Sequence, residues 1–440
     1  MQKQLKKGDH IMGHHRRKHI EAEGVISTFV RIGRRNPGVL YEPLSESDKT
    51  DINILVMHSD EDYMTFPTGT ELAQRGYTVL CANVMNKEGI LYSQNEKIKC
   101  VRDAVGFLKN RNGGKVILMG HSGGGTLMSA YQALAENGPE IFRGPEKLYP
   151  YDGPENLIPA DGIMLFDSNW GNAVMQLFSL DPAVTDERSG MKLDPSLDLF
   201  NPSNGFDPSG SCFSDEFARK YQTAQGVRNE KLVEEALTRL ALLEEGKGNY
   251  SDDEPFVIPG AAQSFFCNKL FPQDIRYMAH TQGEYPLLHP DGTVTTQVIH
   301  SVRKPDCSES MTHSFWEGAR FLSVRTYLSG YAVRTKADFG YDGDHVWGID
   351  WDSCYATPVG NIQYVHVPTL IVGMTAGWEF LASETIYKMS ASEDKTIAFV
   401  EGATHKFTPA HHCEEYPHQF GDTMKTLHDY TDEWLSSGRF

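Results

Sequence analysis

Between residues 52 and 166 short apolar runs alternate with stretches of helical periodicity, and this alternation confines the chain to a small set of folds. Residues 52–58 (INILVMH) form a nearly continuous apolar run, broken only by Asn53 before it ends at His58, the pattern of a strand buried on both faces. Residues 69–75 read as a helix and 77–84 as the next strand. Residues 93–109 carry Ile98, Val101, Val105, Phe107 and Leu108 at helical spacing. A strand at 115–119, a glycine-rich turn, a helix at about 124–136 and a strand at 162–166 follow. Together with short strands at 25–32 and 39–42, this predicts an α/β fold with a mostly parallel sheet flanked by helices.

The alternation stops after residue 170 and resumes near 366. Residues 181–207 are rich in Pro, Asp, Ser and Gly and read as irregular. Residues 214–224 and 229–245 read as two helices, and Ser314 with Glu317 makes a capping box that opens another. A strand at 369–373, a helix at about 381–388, a strand at 396–400 and a terminal helix through Trp434 then restore the pattern. The expected organisation is a polar arm over 1–24, a core formed by 25–170 and 366–440, and a large, mainly helical cap over 171–365 inserted between core strands. The arm reads as a loose tail or an oligomer contact, so a homo-oligomer stays open.

The chain is acidic, 41 Lys+Arg against 59 Asp+Glu for a net charge of −18. Recognition of nucleic acid by phosphate neutralisation needs the opposite balance. Nothing approaches the ~18 continuous apolar residues of a membrane helix. The seven cysteines are scattered, form no C-x-x-C pair, and follow no signal-peptide segment, which points to reduced thiols and a cytoplasmic protein. His405, His411, His412, Cys413 and His418 cluster without the spacings of a zinc site, so neither metal nor cofactor is expected.

The chemistry concentrates in the turn after residues 115–119, Gly120-His121-Ser122-Gly123-Gly124-Gly125. This is G-x-S-x-G, in which a strand reverses sharply into a helix and small neighbours expose the serine hydroxyl at the helix's positive end. Ser122 is the candidate nucleophile. A serine needs a base, and His405 lies in the loop after the last apolar strand. His58 and His121 end core strands and read as pocket-lining residues.

Both core segments resemble the α/β-hydrolase superfamily, in its serine-nucleophile branch with a large cap insertion. The resemblance implies a third group, Asp or Glu, in the loop after the penultimate core strand. Here that loop is Gly373-Met374-Thr375-Ala376-Gly377-Trp378-Glu379, which makes Glu379 the favoured acid even though it falls two residues late. Asp167, after the strand at 162–166, is the alternative, in a loop that some family members use. The family's oxyanion hole implies amides of Gly123 and of Ser59 or Asp60, although the usual Gly after His58 is absent. Cap and loop aromatics Trp316, Trp347, Trp351 and Trp378, with His121, are the candidate substrate-binding residues, and they suggest a fairly apolar or aromatic small molecule. The implied activity is hydrolysis of a carboxylic ester or lactone through an acyl-enzyme. The same triad can act on an amide, a thioester or a C–C bond beside a ketone, and a non-catalytic binding module is the third reading.

Overall fold

The structure, a computed structural model, describes residues 22–33, 36–84, 93–263, 269–308 and 318–440. Six strands precede the interruption: β1 (Val25–Ile32), β2 (Asn36–Pro43), β3 (Ile52–Met57), β4 (Thr78–Ala82), β5 (Lys115–His121) and β6 (Gly162–Phe166). Within it lie β7 (Pro255–Ile258), β8 (His280–Leu288), β9 (Val294–His300), β10 (Arg320–Ser323), β11 (Arg334–Tyr341) and β12 (Val346–Asp350). β13 (Thr369–Met374) and β14 (Lys395–Val400) close the series. Ten strands form one sheet in the order β1-β2-β4-β3-β5-β6-β13-β14-β8-β9. Pairing is parallel from β4 through to β8, with antiparallel β1 and β2 at one edge and β9 at the other.

The sheet separates two apolar layers. Leu55 and Met57 of β3 enter one layer and Ile54 and Val56 the other, the two-residue alternation of a strand covered on both faces. Helices α2 (Gln94–Asn112) and α3 (Gly123–Asn137) cover the first face. Helix α1 (Pro67–Gln74) and the terminal helix Thr423–Leu435 cover the second.

The interrupted region departs from the expected cap in two ways. Besides α4 (Asn172–Phe178), α5 (Asp215–Glu244) and shorter helices such as Val324–Gly330 it carries strands β7 to β12, so it is mixed in structure. β8 and β9 also belong to the central sheet, with Leu287 and Leu288 opposite Phe399 and Val400, so residues 171–365 are not a separable unit. The polar run Gln282-Gly283-Glu284 masks β8 in the sequence, because one end of that strand is only partly covered. The two helices expected at 214–224 and 229–245 are one. Gly226 is not a break: a Cβ there would meet the Phe339 ring at 3.3 Å, so the glycine admits β11 against the helix. The capping box at Ser314 lies outside the described residues, as does most of the 1–24 arm. No described helix is long and apolar enough to cross a membrane.

Candidate active site

β5 ends at the C-terminal edge of the parallel sheet, and Ser122 turns the chain directly into α3. Its backbone is left-handed, φ 55° and ψ −128°, a conformation that a serine holds only under constraint. The surrounding glycines are sterically required. A Cβ on Gly120 would lie 2.6 Å from Gly124 O, and one on Gly124 would lie 2.5 Å from Met57 O. On Gly125 it would lie 1.6 Å from Ser168 Oγ. The Ser122 amide donates to Phe166 O at 3.4 Å, tying the turn to the end of β6.

Asp167 is the first residue after β6. It is fully buried and also left-handed, at φ 42°. Its own amide donates to Val372 O at 2.7 Å, and its Oδ1 accepts the Met374 amide at 3.0 Å. These bonds leave Oδ2 to accept from His405 Nδ1 at 2.6 Å. The histidine loop is pinned just as closely. Gly402 donates to Thr375 Oγ1, Thr404 exchanges contacts with Thr408, and left-handed Phe407 is buried with its carbonyl bonded to Thr423. The His405 side chain remains 27% exposed while Asp167 is at 0%. Burial alone would lower the His405 pKa. The Asp167 hydrogen bond and charge outweigh it, helped by Glu379 and Glu61, and raise it to about 9.

Glu379, the favoured acid from the sequence, does not hold the histidine; Asp167 does. The Glu379 carboxylate turns back to accept the Trp378 amide at 3.2 Å, as its position at the start of the following helix dictates. It stays close by, with ligand atoms of Asp167, Glu379 and His405 all within 4.8 Å of one another. Burial raises its pKa, and the Asp167 charge adds to that while His405 opposes it. Two carboxylates in one dry site resist sharing a second negative charge.

His121 and His58 are framework rather than pocket wall. His121 is 1% exposed, donates from Nε2 to His405 O at 2.6 Å and accepts from the Tyr63 hydroxyl at Nδ1. Its ring lies 4.5 Å from that of His405, which brings the histidine loop against the residue before Ser122. His58 Nδ1 accepts the amides of both Asp60 and Glu61, each at 3.0 Å. The Asp60 amide is therefore committed and cannot serve as the expected oxyanion donor. The Asp60 carboxylate turns to the fully buried Lys97 at 2.7 Å. Ser59 remains beside Gly123, since a Cβ on that glycine would lie 2.6 Å from Ser59 Oγ and 2.7 Å from Asn172 Oδ1. Asn172, at the start of α4, donates to Ser59 Oγ at 2.9 Å and so orders this corner. Nothing in the sequence singled Asn172 out.

The tryptophans divide. Trp378 is 4% exposed and packs on Trp170 and Phe271, which makes it core and not wall. Trp347 lies on the β11–β12 hairpin, donating from its indole to Asp338 O at 2.6 Å. Trp351 packs half-buried against the larger apolar layer. Trp316, with Phe265, Phe266 and Phe315, lies outside the described residues. Among the described residues a second possible ligand cluster, Asp342, Asp344 and His345, sits in the same hairpin, where Asp342 Oδ1 accepts that turn's own amides.

A mostly parallel sheet, with a strained serine leaving one strand and Asp and His on loops after later strands, in the chain order Ser, Asp, His, defines the α/β-hydrolase fold. No family model and no curated protein matches the chain. Among solved structures it is similar to a hypothetical protein from Pseudomonas aeruginosa, at 12% identity and TM-score 0.42 over 99% of each chain. It is similar also to the siderophore hydrolase EstB from Aspergillus fumigatus, at 10% identity and TM-score 0.40 over 94% of this chain and 98% of that one. A soluble variant of monoglyceride lipase from Saccharomyces cerevisiae aligns at 9% identity and TM-score 0.42 over 96% and 99%. Likeness this distant adds nothing to the fold assignment, which rests on topology and site geometry.

Proposed function

We propose that the protein is a serine hydrolase that cleaves a carboxylic ester or lactone of a small molecule through an acyl-enzyme on Ser122. The observation that carries this reading is the 2.6 Å bond from His405 Nδ1 to buried Asp167, beside a serine held in a left-handed turn at the start of α3. A carboxylate only accepts, so Nδ1 carries the proton and Nε2 is the basic nitrogen. Ser122 Oγ attacks the carbonyl carbon as Nε2 takes its proton, and Asp167 stabilises the imidazolium that forms. The carbonyl oxygen becomes an oxyanion served by the Gly123 amide at the positive end of α3 and by the Ser59 amide. The C–O bond breaks as Nε2 returns the proton to the leaving alcohol. Water then repeats the sequence, releasing the acid and Ser122.

Trp378 gives no ground for an aromatic substrate, because it belongs to the core. The test is turnover of p-nitrophenyl acetate and of a panel of lactones, amides and thioesters by the wild type and by Ser122→Ala. Ester or lactone turnover should vanish in the variant with thermal stability unchanged, because the hydroxyl serves chemistry and not packing. Undiminished hydrolysis by Ser122→Ala would overturn the reading.

A further inference from the structure

Lys97 is a fully buried lysine that the proposed chemistry does not use. It lies in the first turns of α2, where its neighbours Ile98 and Val101 are core residues. Its Nζ donates to Asp60 Oδ1 at 2.7 Å and to the Tyr331 hydroxyl at 3.3 Å, and sits 5.2 Å from the centre of the Tyr331 ring. On that ring lies a second cation, Arg320, at 4.7 Å. Tyr331 and Arg320 come from the interrupted region, Lys97 from the core, and Asp60 from the loop that follows β3. One charge cluster, fully buried at Lys97 and partly exposed at Asp60 and Arg320, thus joins three segments of the chain.

Taking an ammonium out of water is costly, and a site that needed only packing would hold a methionine or leucine of similar volume. The position of Asp60 supplies a reason for the lysine. Asp60 directly follows Ser59, whose hydroxyl lies against Gly123, so its carboxylate stands one residue from the corner where the oxyanion would form. An uncompensated carboxylate there would oppose the developing negative charge, and the low dielectric of a buried site would amplify the opposition. The loop also carries Glu61 and Asp62, but Asp62 is turned to Asn83 and to the Met64 amide. Burial would push the Asp60 carboxyl up; Lys97 first, then Arg320 and His58, outweigh that and hold it well below the ordinary carboxylate range.

We propose that Lys97 is a positioning residue for acyl transfer: it draws the Asp60 carboxylate away from the Ser59–Gly123 corner and cancels its charge, so that the oxyanion does not form against that carboxylate. The inference rests on the hydrolase reading above. Lys97 acts through Asp60 and touches no substrate.

The experiment compares Lys97→Met, Lys97→Arg, Asp60→Asn and the double variant Lys97→Met/Asp60→Asn, with kcat and KM for p-nitrophenyl acetate and the rate of Ser122 labelling by a fluorophosphonate. Lys97→Met should lose roughly 100-fold in kcat and in labelling rate, the scale of one lost oxyanion contact, with KM changed less than about threefold. Lys97→Arg should retain most of the activity. Removing the carboxylate as well should bring the double variant back to within about tenfold of wild type, because the charge that needed cancelling is gone. A lysine with a merely structural role would lower thermal stability, leave kcat near wild type and show no such rescue. Should Lys97→Met fail to fold, the double variant decides: folded and labelled within about tenfold of wild type, it supports the proposal; folded but about 100-fold slow, it overturns it. Full kcat in a folded Lys97→Met overturns it too. A wild type that takes no label at all refutes the hydrolase reading itself, a result distinct from all of these.

Discussion

Asp167→Asn should do more than slow the reaction; it should move the pH at which the reaction runs. Asp167 supplies the largest influences raising His405 from 6.5 to about 9, its hydrogen bond and its charge, against burial that pulls the other way. That rise corresponds to about 3 kcal/mol at 1.36 kcal/mol per tenfold. The acidic limb of kcat/KM reports the free enzyme's base, so wild-type activity should climb with pH well above 7. In Asp167→Asn the limb should fall back toward or below 6.5, and the turnover rate should drop by up to ~10⁴-fold as the imidazole loses its orienting acceptor. The same group carries a stability signature. The folded pKa lies above the unfolded one, so its stabilisation is fully present below pH 6.5 and is lost as pH rises through about 9. Thermal melts between pH 6 and 10 should show that loss in wild type and a flatter profile in Asp167→Asn. Glu379→Gln should leave most of the turnover and shift the limb only slightly, because Glu379 influences His405 by charge without a bond. Near-normal turnover in Asp167→Asn, together with collapse in Glu379→Gln, would refute this reasoning and return the acid to the later loop.

Two further outcomes follow from the same structure. His428 is buried between Thr68 Oγ1 and Met424 O, and burial lowers it to about 4; its neutral form is therefore the folded one. Stability should fall as pH drops from 6.5 toward 4, by up to about 3 kcal/mol, and His428→Gln should blunt that loss in urea unfolding curves measured at pH 7 and pH 4.5. Gly124→Ala would drive a Cβ to 2.5 Å from the Met57 carbonyl, a backbone atom that cannot swing aside. It should destabilise the protein by about 1–3 kcal/mol and cut ester turnover with it; a wild-type melting temperature in that variant would contradict the steric account of the elbow.

What could be read from the sequence followed from how local each determinant is. β3 and β5 are nearly unbroken apolar runs because both faces of the central sheet are covered, so their pattern needs no partner to interpret. Gly120 of the elbow is equally local, its Cβ position closed by the Gly124 carbonyl four residues on. The acid was not local. Asp167 and Glu379 both follow parallel strands, and only the three-dimensional path of the histidine loop, clamped by His121 and Thr375, decides which one meets His405. β8 was missed because it is an outer strand, polar where it leaves cover, and its place depends on β14 more than a hundred residues later. Trp378 is hard to place from sequence for a related reason: bulk and aromaticity look the same in a core as in a pocket, and its surface is taken up by Trp170 and Phe271.

The claim on which everything else depends is that Ser122 is the nucleophile. Peptide mass mapping of the full-length protein after treatment with a fluorophosphonate tests it most directly. The structure predicts one phosphonyl group per chain, carried on Ser122 within the Gly120–Gly125 turn, with no adduct in Ser122→Ala and sharply slower labelling in Asp167→Asn. A protein that hydrolyses esters yet stays unlabelled at Ser122, or that carries its adduct on another residue, would contradict the account.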